Sequence, residues 1–243
     1  MTTEGARQLE QLNRDLRQAA DPDKAANLRR FFKTGPGEYG EGDVFLGIMV
    51  PVIRKLVKKY ADLPLTQVQR SLHSKYHEER LLALLILVRK FERGRAADRR
   101  KIFDLYLGET GRINNWDLVD LSAPRIVGAY LLERPKDPLY RLAGSDDLWE
   151  RRIAVLATFA EISVGRPDTA LKIAGRSLSD DQDLIHKAVG WMLREVGKRC
   201  SQRALTDFLD RHAARMPRTM LRYAIERLPT ATRRHYLAIK RCR

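Results

Sequence analysis

Residues 114–120, NNWDLVD, set a tryptophan and two carboxylates into a stretch whose spacing otherwise reads as helix. Trp116 and Asp120 are four residues apart, so on a helix both side chains leave the same face, one turn apart. Pro124 follows four residues later, with no N–H for the Asp120 carbonyl and a ring that displaces it, so the backbone is expected to kink at Asp120. A proline kink alone is common; a kink at an out-of-place acid beside a tryptophan is less so, and it favours a role for Asp120. The plainer alternatives are that Asp117 caps the helix near its N-terminus and that Asp120 faces solvent or an arginine.

A second stripe lies in HKAVGWMLREVGK, 186–198. Lys187, Trp191, Arg194 and Lys198 share one helical face, and Ile185, Val189, Leu193 and Val196 fall on the opposite one. Cations flanking an aromatic suit a phosphate backbone next to a base or sugar face, whereas a tryptophan covering a helix junction is the simpler reading. Arg152 is placed either to pair with Asp117 or Asp120 or to reach a phosphate, and spacing does not choose between them. His73 and His77 are four apart with no acid of the HExxH kind between them, so they read as a surface pair rather than a metal site. No nucleophile elbow or cysteine-based motif is present, and the loop GPGEYGEGD, 35–43, lacks the Gly-Lys-Ser/Thr ending that cradles phosphates. Arg211, Arg215, Arg218, Arg222, Arg233, Arg234, Arg241 and Arg243 form either a solvated basic surface or a nucleic-acid contact.

The elements that must position these residues are helices. Candidate helices cover about 5–19, 22–33, 51–62, 64–74, 76–93, 95–108, 115–132, 136–144, 147–163, 167–178, 182–198, 201–213, 217–227 and 230–240, and strand-like alternation is absent. An internal repeat runs through them: 77–85, 113–121, 149–157 and 185–193 align at steps of 36 residues. That period is close to those of tetratricopeptide and HEAT repeats, about 34–47 residues, and the tetratricopeptide signature residues are missing. The expectation is an all-α, HEAT-like helical-repeat solenoid with a concave basic face. It would form a single domain over 1–243, with N-terminal helices and the Gly-rich loop in 1–44 and the repeats in 45–243. In this alignment Asp120 shares a column with Leu84, Leu156 and Met192, and Asp117 with Leu81, Ile153 and Val189. Arg152 shares one with Arg80 and Trp116. Burying an ionised carboxylate costs several kcal/mol unless it is paired or hydrogen-bonded, so two acids in core-type columns call for a reason.

Composition narrows the partners. Forty-six Lys and Arg against 31 Asp and Glu leave a formal charge of +15 on 243 residues, which favours a polyanion such as nucleic acid or an anionic membrane surface. The longest strongly apolar run, LLALLILV at 81–88, is too short to span a bilayer, and the polar N-terminus lacks a signal peptide's apolar stretch. Cys200 and Cys242 build neither a disulfide framework nor a zinc site, which fits a reducing cytoplasm.

FLGIMVPVIRKL (45–56), NNWDLVDLSAP (114–124), DDLWERRIAVL (146–156) and HKAVGWMLREVGK (186–198) occur in the order of, and together resemble, the AlkD family of bacterial DNA alkylation-repair glycosylases. The resemblance implies a HEAT-like solenoid that holds duplex DNA on a basic concave surface and acts as a monomer in the cytoplasm, at the nucleoid. It implies removal of cationic N3- or N7-alkylpurines in base excision repair, without metal or organic cofactor. Carried over by motif position, the family's catalytic aspartate falls on Asp120, its two lesion-facing tryptophans on Trp116 and Trp191, and its DNA-contacting arginine on Arg152. Lys187, Arg194 and Lys198 join the expected DNA-binding set. Two departures bear on which adducts are accepted: Asn115 stands where the family often has an aromatic, and Met49 where a polar residue often follows FLGI. A non-catalytic HEAT-like module that binds nucleic acid, or a protein scaffold of the same architecture, is the rival reading.

Overall fold

The structure, a computed structural model, describes residues 3–240; Arg241, Cys242 and Arg243 lie outside the described residues. It has an all-α helical-repeat fold, and among the described residues the only extended pairing is an isolated bridge between Val44 and Tyr76. The chain gathers into two compact units that divide between Ser122 and Ala123.

The first unit contains α1 (Thr3–Gln18), α2 (Pro22–Phe31), α3 (Val50–Lys59), α4 (Leu65–Leu72), α5 (His77–Arg93), α6 (Ala96–Gly108) and α7 (Trp116–Ser122). Its axis is α5, which packs against α3, α4, α6 and α7. Every residue of the run from Leu81 to Val88 is buried, as expected of a helix that is apolar all round and enclosed by other helices. Local signals fix the start of α2: Pro22 occupies its first turn, and Asp21 accepts the N–H groups of Asp23 and Lys24.

The second unit begins with a π-helical turn, Pro124–Gly128. It continues through α8 (Ala129–Leu131), α9 (Asp137–Ala143), α10 (Leu148–Ala157), α11 (Phe159–Ser163), α12 (Asp168–Arg176), α13 (Asp183–Arg199), α14 (Gln202–His212), α15 (Arg218–Ala224) and α16 (Thr230–Ala238). Here α13 is central, packed against α10, α14 and α15. Its approach to α15 is very close: a Cβ on Gly190 would lie 2.5 Å from the Met220 carbonyl oxygen and from Tyr223 Cβ.

The one long helix expected over 115–132 is divided into α7, the π turn and α8. The cause is Pro124, which cannot bond the Asp120 carbonyl; the ladder resumes in wider register, with Gly128 N–H donating to Ala123 O at 2.9 Å. The four aligned repeat segments fall mainly on the N-terminal halves of α5 and α13, on nearly all of α10, and on α7 with the three residues before it. Leu81, Ile153 and Val189 in one column and Leu84, Leu156 and Met192 in the other are all buried. Asp117 is buried with its column, whereas Asp120 is partly exposed.

Candidate active site

The N-terminal turn of α7 is held by side chains from three segments. Asn115 Oδ1 accepts the Trp116 N–H at 2.8 Å, and Asp117 Oδ1 accepts the Leu118 N–H at 2.8 Å. The other Asp117 oxygen lies 2.9 Å from His77 Nε2 on α5, and His77 Nδ1 lies 3.1 Å from Asp43 Oδ2. Asp43, the last residue of the Gly-rich loop, also accepts from Arg80 Nη2 at 2.5 Å and from Asn115 Nδ2 at 2.9 Å. All five side chains are buried.

A neutral imidazole carries a single N–H, so donating to a carboxylate on each side takes the imidazolium. Burial alone would lower the His77 pKa, but Asp117 and then Asp43 outweigh it and raise it to about 9. Burial likewise pushes Asp43 up, yet the His77 hydrogen bond, the Arg80 charge and the Asn115 hydrogen bond hold it below its ordinary value. The expected surface pair of histidines is therefore corrected. His73 is exposed, as expected, and pairs with Glu109 at 2.9 Å, while His77 is 1 % exposed. Because α4 ends at Leu72 and α5 begins at His77, the two never share a helical face.

Aromatic rings form a second support. Trp116 lies on Phe32 with centroids 4.9 Å apart, Phe32 on Phe45 at 4.9 Å, and Phe45 on the His77 ring at 4.4 Å. Phe31 meets Trp116 edge-on at 5.8 Å and is itself 64 % exposed. The FLGI segment that carries Phe45 is fastened by Glu78, whose carboxylate accepts the N–H groups of Leu46, Gly47 and Ile48 at 2.9, 2.8 and 3.2 Å. Gly47 is required there: its φ is +85°, and a Cβ would lie 2.0 Å from the Asp21 carbonyl oxygen.

Trp116 and Asp120 stand one turn apart on α7, both partly exposed. Tyr106 on α6 is fully buried, with its hydroxyl 2.8 Å from Ser122 Oγ. Its phenol pKa is pushed up by burial, against the Ser122 hydrogen bond and with a further push from the Asp120 carboxylate, so Asp120 is within electrostatic reach of that hydroxyl. The two acids of NNWDLVD thus divide: Asp117 is buried against His77, and Asp120 is partly exposed.

In the second unit Lys187, Trp191 and Arg194 are partly exposed and Lys198 is exposed, while Ile185, Val189, Leu193 and Val196 are buried. Lys187 pairs with Asp183 at 2.8 Å, and Arg194 with Glu226 and, at 3.6 Å, with Glu195. Arg152, on α10, is buried and donates from Nη1 to the Leu184 carbonyl at 2.6 Å, at the start of α13. Of the C-terminal arginines, Arg211, Arg215, Arg222, Arg233 and Arg234 are exposed, and Arg218 donates to the Leu237 and Ile239 carbonyls. Among the described residues no group of three or more His, Cys, Asp or Glu side chains is placed to hold a metal ion, and no helix is long and apolar enough to cross a membrane.

Comparison with known proteins adds two findings. A protein-family model described as "DNA alkylation repair enzyme" matches residues 12–228. The fold is similar to a solved structure described as a predicted DNA alkylation repair enzyme from Enterococcus faecalis. That match has a TM-score of 0.67 and 18 % identity, and covers 87 % of this chain and 97 % of the other. No curated protein matches the chain at a significant level.

Proposed function

Since the chain belongs to the DNA alkylation repair enzyme family, we propose that it is a monomeric DNA glycosylase that releases positively charged N3- and N7-alkylpurines from duplex DNA. The contrast between the two α7 acids carries this reading: Asp117 is buried against His77, while Asp120 is partly exposed one turn from Trp116. An N3- or N7-alkylpurine already carries the charge that makes it a good leaving group, so its glycosidic bond needs little acid assistance. Departure builds an oxocarbenium-like sugar, which one well-placed carboxylate stabilises and toward which it orients water. Asp120 takes that role. Trp116, and Trp191 as the resemblance implies, hold the cationic lesion or its sugar through cation–π and apolar contacts.

The formal charge of +15 supports a DNA partner, and Lys198, with Lys187 and Arg194, supplies cations for phosphates. Arg152 is assigned to DNA by the resemblance alone, since its guanidinium is buried against the Leu184 carbonyl. The reaction needs no metal or organic cofactor, because charge already on the base does what an acid or metal would otherwise do. Its setting is base excision repair at the bacterial nucleoid. The test is a base-release assay over several N3- and N7-alkylpurines in duplex DNA. Asp120→Asn should keep DNA binding and lose most release; unchanged release of 7-methylguanine and 3-methyladenine overturns the assignment.

A further inference from the structure

We propose that His77 is a positioning residue for the Asp120 site: as a cation between Asp43 and Asp117 it fixes the first turn of α7, so that base release depends on its proton. The consequence for base release rests on the glycosylase reading; the geometry does not.

α7 is only seven residues long and is cut off by Pro124, too short to hold its own conformation. The aim of Trp116 and Asp120 therefore comes from anchors outside the helix. The polar anchors converge on His77. Asp117 bonds it directly, and Asn115, whose Oδ1 holds the Trp116 N–H, bonds the same Asp43 oxygen that faces His77 Nδ1. The aromatic anchor ends there too, through Trp116, Phe32 and Phe45 to the imidazole face.

The charges facing His77 are Asp117 from α7, Asp43 from the loop and, across Asp43, Arg80 from its own helix. Phe32 and Phe45 cover it with uncharged rings. The adjacent acids on α5 turn elsewhere, Glu78 to the backbone of 46–48 and Glu79 to Arg17 and Ser74. With His77 protonated, two cations balance two carboxylates. Removing the proton leaves one N–H for two buried carboxylates. Asp43 keeps Arg80 and Asn115 as donors, whereas among the described residues Asp117 has only the Leu118 N–H besides His77, so the cost of a buried anion short of donors falls on the α7 side. Asp117 sits in the first turn of α7 beside Trp116, so a shift of that carboxylate is passed to the tryptophan.

The test compares alkaline profiles of single-turnover base release, supported by Trp116 emission in a Trp149→Phe/Trp191→Phe background. In the parent protein, release should fall and emission should shift as pH rises through about 9. Asp117→Asn should remove both transitions, because an amide can donate to unprotonated Nε2 while Nδ1–H serves Asp43. His77→Gln cannot donate in both directions and should lower release on the order of 10- to 100-fold below the parent's alkaline transition, as misaimed catalytic groups do. Duplex binding, set by phosphate contacts, should stay near its original strength. Identical alkaline profiles for the parent and Asp117→Asn, or wild-type release by His77→Gln, overturn the proposal. If the parent releases no alkylpurine at any pH, the glycosylase reading falls, and the emission comparison still decides the role of His77.

Discussion

Trp116 lies flat on Phe32, their rings 4.9 Å apart and inclined by only 15°. Phe32 is buried and is itself stacked on Phe45, so a partly exposed tryptophan rests on a floor that is not exposed. A ring held this way presents its other face without first having to be ordered, which is what an aromatic contact to a reacting group needs.

Phe32→Leu tests that floor. It keeps an apolar side chain of similar reach and removes the stacked pairs with Trp116 and Phe45, each worth about 0.5–1.5 kcal/mol beyond area burial, along with the ring contacts to Phe31 and His77. Stability in urea should drop by about 1–3 kcal/mol, and base release should fall more than duplex binding does. Full stability loss with unchanged release would show that Trp116 needs no floor.

Lys198 is exposed on α13, on the face shared with Trp191. If it neutralises one phosphate, Lys198→Ala should reduce the slope of log affinity against log salt by about 0.9, with little dependence on the lesion. Arg194 differs because Glu226 and Glu195 already face it. Arg194→Ala removes a cation and takes from Glu226 its Arg194 partner, while Glu195 keeps Arg199 at 2.7 Å, so the loss of affinity should be partly restored by Glu226→Ala. Measured salt slopes of the variants check both statements; an unchanged Lys198→Ala slope removes that residue from the interface.

The helices were legible because Pro and Gly breaks and helical spacing are local signals, and for the same reason the Trp116–Asp120 and Lys187–Trp191 pairs could be read as shared faces. What spacing could not supply was the pairing across 34 and 40 residues that joins His77 to Asp43 and Asp117. A signal was nonetheless present. HEER heads a helix that is then apolar all round, so these ionisable groups open onto a core and require partners. The alignment had already put Asp117 in a buried column, and a buried acid implies a buried cation. The division after Ser122 follows from Pro124, whose missing N–H was visible, although the π turn it produces was not.

Gly47→Ala should be strongly destabilising. A side chain there meets a left-handed φ of +85° and the Asp21 carbonyl at 2.0 Å. The conformational cost alone is about 1–2 kcal/mol, and overpacking adds about 1–3 kcal/mol. Relief of the clash must disturb either the start of α2 or the Glu78 hydrogen bonds that hold Phe45. Thermal unfolding measures the loss, and a variant as stable as its parent would mean that the FLGI turn does not constrain the stack.

Stability should also decline on the alkaline side, and His77 sets the window. Its folded pKa is about 9, against about 6.5 in an unfolded chain, so between those values the folded state holds a proton that the unfolded state has lost. The contribution is complete below about pH 6.5 and disappears as pH rises through about 9. Asp43 works in the opposite sense: its folded pKa is depressed, so its contribution is present above the ordinary carboxylate range and lost only in acid. Urea midpoints measured from about pH 6 to about pH 9.5 should therefore fall in the parent protein, and in His77→Gln should start lower and stay flatter over the same range. Parallel declines in the two proteins would assign the alkaline loss to other groups and leave His77 without its proton-linked role.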